Sequence, residues 1–81
     1  MEKEGEFRLE ATVGQSITQP NKWHSAGYVH APDESEALEV IKAGASFETR
    51  EEARAAAITA ARDIARALAP GDSLARRKAA G

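Results

Sequence analysis

Cysteine is absent from this 81-residue chain, so no disulfide framework, thiol nucleophile or thiolate metal site is available to it. That absence fits a reducing compartment. No stretch approaches the ~20 consecutive apolar residues that a membrane span needs, and the first twenty residues hold no apolar signal-peptide core. The expectation is a cytoplasmic protein without a membrane segment. Positive charge is not in excess either: the formal net charge is −2. A mildly acidic chain lacks the broad positive field on which non-specific nucleic-acid binding depends, which lowers the expectation of such a partner without removing it. The charge is unevenly spread, with Asp33, Glu34, Glu36 and Glu39 in the middle and Arg76, Arg77 and Lys78 in the tail.

Large apolar side chains are also few. Hydrophobic residues make up 42% of the chain, but many are alanines with little area to bury. The expected core is Phe7, Leu9, Val13, Trp23, Val29, Ile41, Phe47, Ile58, Ile64 and Leu68. Chains this short lie near the lower limit for an independent core, so a self-association or partner surface is plausible on energetic grounds.

What is present is a clear order of elements. Residues 1–5 are charged, end in glycine and are expected to be flexible. From Phe7 to Val13, apolar and polar residues alternate with the period of two that marks a half-buried strand. Gly14 to Asn21 breaks the pattern, and Pro20-Asn21 is a turn signal. Trp23 to Ala31 forms a second strand, with Trp23, Ser25, Gly27 and Val29 assigned to the core face. His24, Ala26, Tyr28 and His30 then lie on the other face. Gly27 would let the backbone of an Ala-rich helix come close.

Pro32 to Ser35 is a loop. The segment after it supports two readings: a helix over 35–43 capped by Ser35 and ended by Gly44, or a strand from about Val40 to Phe47. The strand is favoured, because two strands alone are too few for a stable sheet. Thr49-Arg50-Glu51-Glu52 has the form of a capping box, and Ala53, Ala57, Ala60, Ala61, Ile64 and Leu68 follow as one apolar helical stripe. Arg62 and Arg66 are expected in solvent near the helix C-terminus, where the dipole favours cations. Pro70-Gly71 stops the helix. The fold expected is therefore α+β: a three-stranded antiparallel sheet in β-β-β-α order, with one long C-terminal helix on one face. The domain spans 6–69, and 70–81 form a flexible basic tail.

Candidate chemistry is thin. His24 and His30 are separated by six residues, or roughly 20 Å along a strand at ~3.3 Å per residue, too far to share one ion within a monomer. His24 and Ser25 are neighbours and so point to opposite faces of a strand, which argues against a nucleophilic pair. The carboxylates of the acidic loop have nothing apolar beside them to raise a pKa for acid catalysis. No glycine pattern forms a phosphate-binding loop. An enzyme is not expected, and neither is a cofactor or a metal. The surface that stands out is the outer face of the second strand, His24, Tyr28 and His30. It suits a protein partner or a second copy of the chain. Alternatively Tyr28, between two histidines, resembles a stacking platform for single-stranded bases.

The run Gly44-Ala45-Ser46-Phe47-Glu48-Thr49-Arg50-Glu51-Glu52-Ala53-Arg54 resembles a pattern shared by small uncharacterised bacterial sheet-plus-helix proteins. In that pattern a strand ends in G-x-x-F, a Ser/Thr cap follows, and E-E-A opens a helix. With Gly27-Tyr28-Val29 ahead of it, the order is also similar to the N-terminal part of HicB-type antitoxins over residues 23–68. Unlike HicB, these 81 residues are not expected to hold a second domain for DNA binding, and their loop lacks the proline-and-glycine-rich spacing. The resemblance implies a helix packed on a β-meander and carries over no functional residue.

Overall fold

The computed structural model describes residues 2–81. Four strands form one antiparallel sheet in the order β1-β2-β3-β4: β1 (Glu2–Glu4), β2 (Phe7–Gln15), β3 (Trp23–His30) and β4 (Glu39–Phe47). A long helix α1 (Arg50–Ala67) and a short helix α2 (Leu74–Ala80) follow. The class is α+β with a C-terminal helix on the sheet, but the strands number four rather than three and the helices two rather than one.

The extra strand is β1. Three residues are too few to display a period, so the charged start of the chain carries no strand signal in its sequence. Its register, Glu2↔Leu9 and Glu4↔Phe7, puts both carboxylates on the helix side of the sheet. There Arg62 donates to Glu2 and to Glu4 at 3.1 Å each, and Arg66 reaches Glu4 at 3.2 Å. The two arginines expected in solvent therefore clamp β1 to α1.

Of the segment with two readings, residues 35–38 are loop and the rest is the strand β4, with no helix. Its pairing with β3 slips twice, between Trp23 and Ser25 and between Ser25 and Ala26, so Lys42 opposes Ala26 while Phe47 opposes Trp23. Gly44 sits in this irregularity at φ 153°, a backbone conformation that side chains disfavour.

α1 begins at Thr49, whose hydroxyl accepts the Glu52 backbone N–H at 3.1 Å. Ala53, Ala57, Ala61 and Ala65 are buried at every fourth position, making a line of small side chains. That line lies along β3. The Ser25 hydroxyl donates to the Ala53 carbonyl at 2.5 Å. A β-carbon at Gly27 would fall on the Ala57 carbonyl oxygen and come within 3.1 Å of the Ala61 methyl. Helix and sheet approach this closely only because neither side has bulk along the seam. Phe7, Leu9, Val29, Leu38 and Ile58 complete the core, with Ile64, Leu68 and Leu74 packed against it. Leu38 joins through the loop before β4, where its N–H donates to the Val29 carbonyl at 2.7 Å. Val13, Trp23, Ile41 and Phe47, assigned to the core from sequence, are only half-buried.

α2 lies in the segment expected to be a structureless tail. Ser73 caps it, and the Glu34 carboxylate accepts the Leu74 and Ala75 N–H groups at 2.7 and 3.0 Å. Arg77 holds Asp72 at 2.9 Å and Glu39 at 2.8 Å. The basic residues of the tail are thus drawn onto the acidic middle of the chain. Among the described residues no helix is long and apolar enough to cross a membrane.

Candidate functional site: the open face of the sheet

Because α1 covers one face of the sheet, strand parity decides what remains on the other. Ser25, Gly27 and Val29 are buried toward the helix, which leaves His24, Ala26, Tyr28 and His30 on the open side. The register brings cross-strand partners into rows on that face: Lys3 and Arg8 with His30, Glu10 with Tyr28 and Val40, Thr12 with Ala26 and Lys42, and Gly14 with His24.

The three residues singled out from sequence have different surroundings. His24 is exposed, its ring lying over Gly14, where a β-carbon would meet the imidazole Nε2 at 2.8 Å. Glycine at 14 is therefore what lets the ring lie flat on the sheet. Tyr28 is half-buried, and its phenol oxygen is 3.4 Å from the Thr12 hydroxyl, which donates to it. His30 shares the face but is buried, with 6% of its surface exposed. Its Nε2 is 3.1 Å from the Glu10 carboxylate. Beside it Arg8 donates to the Glu34 carbonyl, drawing the 31–38 loop toward this end of the face. The accessible part of the face is therefore built by His24 and Tyr28, with His30 serving as a buried support.

Between His24 and Tyr28 the sheet is hollow. A depression of about 550 Å³ is lined by Thr12, His24, Ala26, Tyr28, Lys42 and Ala45. The slipped pairing of β3 with β4 makes this shape, since it turns Gly44 and Ala45 toward the depression. Small side chains form its floor, two rings its walls, and the Lys42 ammonium its rim. Val40 stands beside it, 58% exposed. Lys42 and Val40 are the participants that sequence reasoning missed. Alternation along β4 could have found both once the strand was chosen, because Val40 and Lys42 pair with Tyr28 and Ala26.

Electrostatically, Lys3, Arg8 and Lys42 form no ion pair among the described residues, and the single carboxylate on the face, Glu10, is engaged by His30. The hollow is open to solvent and offers contact area, two rings for stacking and one cation. No group of three or more His, Asp or Glu side chains able to hold a metal converges among the described residues.

Comparison of the chain with protein-family models, with curated proteins and with solved structures finds no match in any of the three.

Proposed function

We propose that the chain is a non-enzymatic interaction module that associates with a second copy of itself through the open face of its sheet. One observation carries the reading. α1 covers a single face, and the other presents an apolar-floored hollow beside a 58%-exposed Val40 and a half-buried Tyr28. A bare sheet face with a contiguous apolar centre is the arrangement that layered folds complete with a second layer. The side chains at the hollow, one imidazole, one phenol and one ammonium at an open rim, suit contact better than chemistry on a sequestered substrate.

Sedimentation equilibrium of the wild type and of Tyr28→Glu tests this. The wild type is expected to shift toward twice the monomer mass as concentration rises. Tyr28→Glu is expected to stay monomeric with an unchanged circular dichroism spectrum, because the ring's contact area is lost and desolvating a carboxylate costs several kcal/mol, which the Lys42 ammonium at the open rim offsets only in part. A monomeric wild type, or an equally dimeric Tyr28→Glu, contradicts the reading.

A second reading has its own support. Three cations, Lys3, Arg8 and Lys42, face one carboxylate on this side of a chain whose net charge is −2. With Tyr28 and His24 as stacking surfaces, single-stranded nucleic acid fits the same face. Three phosphate contacts would weaken binding of a labelled oligonucleotide by roughly twentyfold between 50 and 200 mM salt. Binding that does not change with salt removes this reading.

A further inference from the structure

We propose that Ile17 of one copy seats in the open-face hollow of a second copy, and the reverse, closing a two-fold dimer. This rests on the self-association reading and names what fills the hollow.

The first observation is Ile17 itself, 98% exposed at the tip of the β2–β3 hairpin. The tip is internally bonded. Ser16 N–H donates to the Lys22 carbonyl at 2.9 Å, Lys22 N–H to the Gln19 carbonyl at 2.9 Å, and Gln19 N–H to the buried Ser16 hydroxyl at 3.2 Å. Lys22 pairs with Glu48, and the Ser46 hydroxyl donates to the Gln19 side-chain oxygen at 3.1 Å, tying the tip to the end of β4. The turn that carries the bare isoleucine is therefore bonded to the body of the sheet, which leaves less backbone ordering to oppose its insertion elsewhere.

The second observation is reach. The hairpin's last pair is Gln15↔Trp23, and the hollow centres on the row Thr12↔Ala26. Ile17 lies five residues beyond that row, or at most roughly 17 Å at ~3.3 Å per residue, and the strands carry it away from its own hollow. Two copies placed face to face with strands antiparallel, and the two-fold axis near the Gly14–His24 row, bring each tip over the other's hollow. A single rotation makes both contacts, so the contact is isologous and the assembly closes at two.

The third observation is charge. From Ala11 to Pro32 the chain carries one charged residue, Lys22, although 30% of the whole chain is charged. Lys22 is already paired with Glu48. The inserted tip thus brings no unpaired charge to desolvate, and of the side chains lining the receiving hollow only Lys42 is charged, its ammonium at the open rim rather than at the apolar centre. The contact is small, so the dimer is weak and concentration-dependent.

The test is Ile17→Ser, which alters a side chain outside every folded contact. Sedimentation equilibrium is expected to show a dimer dissociation constant weakened roughly tenfold or more, with the circular dichroism spectrum unchanged. In the wild type the Ile17 methyl resonances are expected to move upfield with concentration, as they enter the ring currents of Tyr28 and His24. A wild-type dimer that Ile17→Ser leaves intact overturns this inference while the self-association reading stands. A wild type monomeric at all concentrations overturns both.

Discussion

At position 27 a methyl group would have to occupy the space of the Ala57 carbonyl oxygen, which belongs to helix backbone and cannot rotate away. Gly27→Ala is therefore expected to separate α1 from the sheet, at a cost of about 1–3 kcal/mol or more. The measurement is the chemical denaturation midpoint, and a midpoint equal to wild type would mean the seam is looser than described. This glycine was legible because its neighbours along the strand alternate and the helix opposite is alanine-rich. The same alternation places His24, Tyr28 and His30 together on the outer face. Their differing exposure was not legible, because it depends on contacts remote in sequence. His30 is buried and sits 3.1 Å from the Glu10 carboxylate, whereas His24 is exposed over the empty space above Gly14.

Elements differ in how much of their stability is local. α1 starts where its sequence says, at Thr49, and Thr49→Ala should cost about 0.5–2 kcal/mol by leaving the Glu52 N–H without its acceptor. Thermal or denaturant unfolding checks this, and an unchanged midpoint would deny Thr49 the cap. β1 has no such local signal, and α2 has only its Ser73 cap, whose hydroxyl accepts the Arg76 N–H at 3.0 Å. β1 exists because Arg62 and Arg66, some sixty residues away, grip its two glutamates. α2 is held by carboxylates: Glu34 at its N-terminus, and Asp72 and Glu39 around Arg77. Hydrogen bonding to the Arg77 guanidinium holds the Asp72 carboxyl below its ordinary 3.8, and burial only partly opposes this. A lowered carboxyl favours the docked helix above its ordinary pKa and loses that contribution as pH falls through the docked value. Amide-exchange protection factors over 74–80 are expected to fall below about pH 4 before those of the sheet do. Equal protection of α2 and the sheet down to the acid transition would show that α2 belongs to the global unit. Truncation after Gly71 removes one partly packed apolar side chain, Leu74. The dispersed amide resonances of β2 and β3 are expected to survive it, and their collapse would make α2 part of the core.

The molecule as a whole is a two-layer structure measuring 44 × 22 × 19 Å, with helix on one side of its sheet only. The edges are restrained by familiar means: β1 is short and charged, and β4 carries Lys42 and a slipped register, both of which discourage edge-to-edge growth. That leaves the open face as the surface where association would occur. Its existence was legible from the pattern of one sheet and one helix, but its hollow was not, because the slip in β4 that shapes it arises only when the strands are paired. The most direct test is a concentration series of amide and methyl chemical shifts on the wild type. Self-association through this face predicts shifts confined to Thr12, His24, Ala26, Tyr28, Val40, Lys42 and the tip around Ile17, with the outer side of α1 unmoved. Shifts centred on α1, or none at concentrations approaching the solubility limit, would contradict it.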